Sequence, residues 1–210
     1  GTAGVTGPTG TAGVTGPTGP TGTAGVTGPT GYISITGTVY SQYPYWSTYT
    51  NSWQVDGDRV HIGSNAGFTG QASYAIALGT QAGFTGQSTY GIAMGYQAGQ
   101  TNQATGAIAI GYQTGQGNQG TQSIAMGWQA GFSGQGQNSV AIGTQPGQTI
   151  QGQNSIAIGT NAGQTNQNGY AIAIGYQAGQ QAQGNNPTAG SIAIGYQAGQ
   201  SNQAYNSVAI

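Results

Sequence analysis

The chain contains no cysteine and almost no charge. Without cysteine, disulfides, thiolate zinc sites and thiol nucleophiles are excluded. Charged residues make up 1% of the 210, with one arginine against two acidic residues and a net charge of −1. There is therefore no basic surface for nucleic acid or anionic lipid, and we expect neither nucleic acid nor a cofactor as a partner.

Long apolar runs and catalytic motifs are also missing. No apolar run approaches the roughly 20 residues that span a bilayer, so we expect no membrane insertion within this chain. The sequence has no paired general acid and base, no nucleophile triad and no phosphate loop, and we expect no enzyme activity. Apolar residues follow a period of two rather than the three-four spacing of a helix, which predicts an all-β protein.

Glycine is abundant, with 43 copies, and it occupies every third position over residues 1–30. Unbroken Gly-X-Y triplets are typical of the collagen triple helix, in which only glycine fits at the shared axis. A flexible Gly/Thr linker is the alternative, but a linker has no reason to keep phase. Because a collagen helix needs three chains, the segment predicts a stalk in a homotrimer.

Residues 31–59 are rich in aromatic and β-branched side chains, among them Tyr43, Trp46 and Trp53. This composition predicts short strands and turns. We interpret the segment as an adapter between the narrow triple helix and a wider body, where it also caps an exposed strand edge. Sugar binding by its aromatic rings is the alternative.

Residues 60–210 repeat a sixteen-residue unit that ends in the phrase small-Ile-Ala-Ile-Gly or a variant of it. A four-residue excess near 180–190 predicts a loop that contains Pro187. One short apolar strand per unit predicts a β-solenoid whose coils stack by parallel pairing. In Ile108-Ala109-Ile110 the two isoleucines share one face of the strand, and we expect them to be buried inside the coil. The alanine face, or the aromatic column described below, would then contact partner chains.

Two amides recur in every unit, one two places after the glycine and one six places further on. Identical amides stacked about 4.8 Å apart can bond to their own copies in ladders along the axis. The predicted ladder residues are Gln81, Gln97, Gln113 and Gln129 for the first set, and Gln71, Gln87, Gln103 and Gln119 for the second.

The position after the glycine carries an aromatic residue in several units, namely Tyr96, Tyr112, Trp128, Tyr176 and Tyr196. Such a column can present flat platforms to glycans, or it can simply stabilise the stack or a trimer seam. A column of threonines also raises ice binding, but Gly117 and Ser133 interrupt it, which counts against that function.

The formal charges and the single histidine lie together in residues 56–61. Three chains would bring six carboxylates near one axis, which is one way to build a calcium site. We favour an Asp-Gly turn with an Arg–Asp pair that seals the first coil, because one acidic pair per chain lacks the ligands of a calcium loop. His61 occupies an alanine position of the repeated phrase.

The phrases Ser139-Val140-Ala141-Ile142-Gly143 and Ser155-Ile156-Ala157-Ile158-Gly159 resemble the head repeats of trimeric autotransporter adhesins. The resemblance implies a left-handed parallel β-roll packed as a trimer, although the unit here is longer than in typical heads. A collagen-like stalk that leads into such repeats is similar to surface fibres of giant viruses, phages or bacterial spores.

The sequence thus predicts an all-β repeat protein: a collagen triple helix, an aromatic adapter and a trimeric left-handed parallel β-solenoid with 16-residue coils. The predicted function is a structural fibre, extracellular or on the surface of a cell, spore or virion, that forms a homotrimeric rod or an end-to-end filament. An adhesin that binds host glycans is the alternative, and an ice-binding solenoid is a weaker one.

Overall fold

The computed structural model describes residues 1, 4, 5, 7, 10, 11, 13, 36–183 and 190–210. The chain divides into two compact units, Gly1–Ser34 and Ile35–Ile210. The predicted collagen helix over residues 1–30 lies almost wholly outside the described residues, as do residues 31–35 of the predicted adapter. Both therefore stay predictions.

The second unit begins with an antiparallel hairpin of β1 (Tyr43–Ser47) and β2 (Ser52–Asp56). Its register places Trp46 opposite Trp53, and the two indole rings meet edge to face with centroids 5.7 Å apart. Alternating aromatic and β-branched residues favour this extended pairing, as the composition of the segment predicts.

A parallel β-solenoid follows, and residues 36–183 and 190–210 contain no helix. No helix in these ranges is therefore long and apolar enough to cross a membrane. One sheet has ten strands in the order β18-β17-β16-β14-β12-β10-β8-β6-β4-β3, and the other has six in the order β15-β13-β11-β9-β7-β5. The ten are β3 (Val60–Ile62), β4 (Ile76–Leu78), β6 (Ile92–Met94), β8 (Ile108–Ile110), β10 (Ile124–Trp128), β12 (Val140–Thr144), β14 (Ile156–Ile158), β16 (Ile172–Ile174), β17 (Ile192–Ile194) and β18 (Val208–Ala209). The six are β5 (Thr85–Gln87), β7 (Thr101–Gln103), β9 (Gly117–Gln119), β11 (Ser133–Gln135), β13 (Thr149–Gln151) and β15 (Thr165–Gln167). The all-β solenoid predicted from the repeat is confirmed.

Each residue pairs with its counterpart one repeat away, so Ile108 lies beside Ile124 and Ala109 beside Ala125. The sequence separation between paired strand residues increases only between β16 and β17, where Ile172 pairs with Ile192. The four extra residues thus leave the ladder intact. The predicted loop around Pro187 falls in residues 184–189, outside the described part of the chain.

The prediction that the large apolar residues of these strands are buried inside the coil is wrong. The central alanines, such as Ala93 and Ala109, are fully buried, whereas the flanking Ile, Leu and Met side chains lie on the outside. The interior is too narrow for a large residue: a β-carbon added to Gly99 on the opposite wall would lie 3.2 Å from the β-carbon of Ala93. Alanine therefore fills the inside of each coil, and the larger apolar residues are excluded from it.

The glycine that ends the repeated phrase is required on two counts. At Gly159 φ is +122°, which L side chains rarely adopt, and an added β-carbon would lie 2.6 Å from the carbonyl oxygen of Gly175 in the next coil. The coils approach each other here backbone to backbone. Any side chain at this column would push them apart.

Several non-glycine residues also adopt left-handed backbone conformations in each coil. Gln97 has φ 52°, Asn102 has φ 53° and Tyr90 has φ 60°. Asparagine tolerates this region better than most residues, whereas a β-branched residue there is strained, as at Ile150 with φ 54°. These positions bend the chain into a closed coil, at turns in the case of Tyr90 and Gln97 and within the strands of the six-stranded sheet in the case of Asn102 and Ile150.

Candidate functional site

The glutamines of the six-stranded sheet point inward and bridge the two walls of each coil. Gln103 is fully buried, and its amide nitrogen donates to the carbonyl oxygens of Ile92 at 2.7 Å and Ala107 at 3.1 Å. Gln71, Gln87 and Gln119 donate in the same way to Val60, Ile76 and Ile108. Some of these glutamines also donate to the equivalent glutamine of the next coil, as Gln103 does to Gln119 at 3.1 Å. The second predicted set is therefore mainly a set of cross-bridges.

The other predicted set forms a ladder along the corner of the coils. Gln97 donates to Gln81 at 2.8 Å, Gln113 to Gln97 at 2.9 Å and Gln129 to Gln113 at 2.9 Å. A parallel ladder that the sequence analysis did not identify runs beside it. Its bonds include Gln116 to Gln100 at 2.9 Å and Gln116 to Gln97 at 3.1 Å. Phe68, Phe84 and Phe132 interrupt that column, which obscures its amide character in the sequence.

The aromatic side chains of the predicted column stack in two separate groups. The ring centroids of Tyr96 and Tyr112 are 5.2 Å apart, and those of Tyr112 and Trp128 are 6.4 Å apart. Tyr176 and Tyr196 form a second stack at 5.3 Å. The first three rings are 44–46% exposed, so each keeps an accessible edge beside the amide ladder.

The outer face of the ten-stranded sheet carries two columns of aliphatic side chains. Those of the first column, such as Ile108, are half-buried by their neighbours, and several of the second are more exposed: Leu78 is 37%, Met126 38% and Ile194 40% exposed. No other strand of the described chain covers this face. A continuous apolar surface along ten strands is the kind of patch that marks an interaction site.

The charged cluster forms a closed turn at the junction of hairpin and solenoid. Arg59 binds Asp56 through Nη2 at 2.6 Å and Nε at 2.8 Å, and the Asp56 carboxylate also accepts from the backbone nitrogens of Asp58 and Arg59. The predicted Arg–Asp pair is confirmed. Among the described residues no group of three or more metal-binding side chains occurs.

His61 joins the hairpin to the first coil. It pairs with Ala77 in the sheet, the hydroxyl of Tyr43 accepts from its backbone nitrogen at 2.9 Å, and the Tyr45 ring meets its imidazole edge to face at 4.3 Å. Burial lowers the pKa of His61, an effect opposed by the Asp56 carboxylate and the nearby Gln71 amide. His61 Nε2 and Gln71 Oε1 are both buried without a well-formed hydrogen bond. Burial also raises the pKa of Tyr43.

A cleft of about 460 Å³ opens beside this junction. Hairpin residues, among them Trp46 and Tyr49, line one side, and the start of the first coil, including Asn65 and Phe68, lines the other. The cleft combines exposed aromatic rings with amide and hydroxyl groups. Sequence reasoning noted the aromatic residues but could not place them opposite the first coil.

Comparison with protein families finds the YadA head domain repeat, in two copies, at residues 151–163. No curated protein and no solved structure matches the chain. The matched segment contains Ser155 to Gly159, one of the phrases on which the resemblance to trimeric autotransporter heads depends. The match covers a small part of the chain, and it supports an adhesin-like surface fibre.

Proposed function

We propose that this chain is a subunit of a homotrimeric surface fibre in which three solenoids pack through the outer face of the ten-stranded sheet. The observation that carries the proposal is the position of the large apolar side chains. Each coil encloses alanine and glutamine, and the isoleucine columns remain outside. Covering them removes apolar surface from water, at about 25 cal/mol for each Å².

The stoichiometry of three is supported by the Gly-X-Y triplets of residues 1–30, since a collagen helix assembles from three chains. The match to the YadA head domain repeat is compatible with it. Three identical faces around a common axis also satisfy closed symmetry and leave no apolar face open. The trimer can be tested in the absence of any ligand.

The proposed role is mechanical: a rod, or an end-to-end filament, that is extracellular or on the surface of a cell, spore or virion. Two features support this role rather than catalysis. The solenoid is built from uniform backbone pairing and amide bonds, and titratable groups are scarce along it. We therefore propose that the chain is not an enzyme and needs no cofactor.

Sedimentation of the purified full chain tests the trimer. We expect a species of three times 20.8 kDa with β-type circular dichroism. Ile110→Asp places a carboxylate on the proposed contact face and should dissociate the trimer. Asn118→Asp is the matched control on the exposed side of the other sheet, where the new carboxylate can still accept from Asn102. A well-ordered wild-type monomer, or an Ile110→Asp trimer, would contradict the proposal.

Adhesion to glycans is the second candidate function, and the exposed Tyr96–Tyr112–Trp128 stack is the observation that favours it. Aromatic faces and edges are suited to sugar rings, which have apolar and polar sides of their own. A glycan array distinguishes the two functions. Reproducible binding that Tyr96→Ala and Trp128→Ala abolish would establish an adhesin with its site on this column.

A further inference from the structure

We propose that the cleft between the hairpin and the first coil binds one sugar unit of a neutral glycan, with Phe68 as its aromatic platform. The inference deepens the proposed fibre function by giving one end of the solenoid a ligand site. The cleft is formed within a single chain. Its test therefore does not depend on the trimer.

The aromatic part of the cleft consists of rings that the fold leaves uncovered. Phe68 is 55% and Tyr49 97% exposed, and they come from the two sides of the cleft. Phe68 stacks on Phe84 with centroids 5.3 Å apart, which fixes its position. The C–H face of a pyranose ring packs against such rings, because it is the apolar side of an otherwise polar molecule.

The polar part of the cleft supplies hydrogen-bonding groups without charge. Ser47, Thr48, Ser64 and Asn65 line it with hydroxyl and amide groups, which can both donate and accept. A few polar groups among aromatic walls, in a volume of 460 Å³, is the usual composition of a small-ligand pocket. Sugar hydroxyls match this set because each of them also donates and accepts.

The electrostatics of the cleft favour a neutral sugar over an acidic one. Arg59 lines the cleft, but both its Nε and its Nη2 are engaged by the Asp56 carboxylate. His61 at the wall is held toward its uncharged form by burial. No free cation therefore faces the cleft from the described residues that line it, and a carboxylate ligand would have no partner there.

Tryptophan fluorescence and saturation-transfer NMR on the full chain test the proposal. The probes are methyl glycosides of glucose, galactose, mannose and N-acetylglucosamine, with glucuronic acid and N-acetylneuraminic acid as the acidic comparison. We expect saturable binding of at least one neutral glycoside. Phe68→Ala should weaken it by about tenfold, and Phe68→Tyr, which keeps a ring, by less.

The controls separate the cleft from the aromatic column. Phe132→Ala, at the same repeat position in a distant coil, should leave binding unchanged. Trp128→Ala should also leave binding unchanged. The proposal is overturned by absence of binding up to about 10 mM glycoside, by binding of the acidic sugars alone, or by loss in Trp128→Ala with retention in Phe68→Ala. Sedimentation of the same samples reports the trimer separately, so failure of the cleft and failure of the fibre are distinguishable.

Discussion

The side-chain nitrogen of Gln103 lies 2.7 Å from the carbonyl oxygen of Ile92, on the opposite wall of the same coil. The bond crosses the interior and sets its width, since both groups are fixed in paired strands. The same contact recurs between Gln119 and Ile108 and between Gln135 and Ile124. A buried amide thus joins the two walls of each coil, whereas large apolar side chains hold most protein cores together.

Removing this amide should destabilise the chain strongly. Gln103→Ala leaves a cavity and removes the side-chain donor from the carbonyls of Ile92 and Ala107, of which Ala107 still accepts from the backbone nitrogen of Ile92. We expect a loss of about 2–4 kcal/mol in the free energy of unfolding. Urea denaturation measures it. Gln137→Ala, at an exposed position, is the control and should change stability by less than about 0.5 kcal/mol. Equal effects of the two substitutions would refute the structural role of the bridge.

The glycine column can be compared with a glycine of the six-stranded sheet. Gly159→Ala and Gly134→Ala both place a β-carbon on a residue of positive φ, at +122° and +73°, but only the first brings it against the backbone of the next coil, 2.6 Å from the Gly175 oxygen. At Gly134 the nearest atom is the Cα of Ile150, 3.7 Å away. We expect Gly159→Ala to cost about 1–3 kcal/mol more than Gly134→Ala in thermal or urea unfolding. Similar losses would mean that the close approach of the coils adds nothing to the backbone effect.

One substitution should stabilise the solenoid. Ile150 is β-branched and 60% exposed, and it adopts φ 54° at a position where other coils carry Gly134 or Asn166. Ile150→Asn relieves the strain, and we expect a gain of about 1 kcal/mol. Asn118→Ile, the reverse change at the same repeat position, should lose a comparable amount. If Ile150→Asn lowers the melting temperature, packing of the isoleucine outweighs its backbone strain.

Stability should decline gently at acid pH through His61. Because burial lowers the folded-state pKa of His61 below 6.5, the unfolded chain binds the proton more readily. The free energy of unfolding is therefore constant above about pH 6.5 and falls as the pH drops toward the folded pKa. His61→Ala introduces the residue that the next coil has at Ala77, and it should reduce the loss of unfolding free energy at acid pH. An unchanged slope in that variant would show that another group is responsible.

The proposed assembly, in contrast to this local effect, should be insensitive to salt and to pH between about 4 and 9, because the isoleucine face that would form its contacts is apolar. Light scattering across a salt series measures it. A steep transition in acid or in salt would contradict assembly through the isoleucine face.

The period of the sequence was sufficient to predict the solenoid, its parallel register and the place where twenty residues replace sixteen between Ile172 and Ile192. It could not decide which face of the large strands points inward. Alternation shows that Ile108 and Ile110 share a face, and the usual preference for burying large residues then selects the wrong one. The width of the interior depends on the opposite wall, which carries Gln119, and that distance is a tertiary property.

The positions with positive φ in the six-stranded sheet could have been recognised from the sequence. One repeat position exchanges Gly86, Gly134, Asn102 and Asn118, and an exchange of glycine with asparagine indicates positive φ. The cleft at the hairpin could not be predicted in this way. It depends on how Tyr43 and Tyr45 dock on His61, which no repeat encodes.

Since every coil pairs only with the coil before it and the coil after it, the chain can lose or gain one whole repeat, and the coils that become adjacent can pair as the present ones do. The length of the solenoid is then adjustable in fixed increments, independently of the residues at the hairpin. Natural variants that differ by whole repeats, with an identical hairpin, would be the record of that freedom.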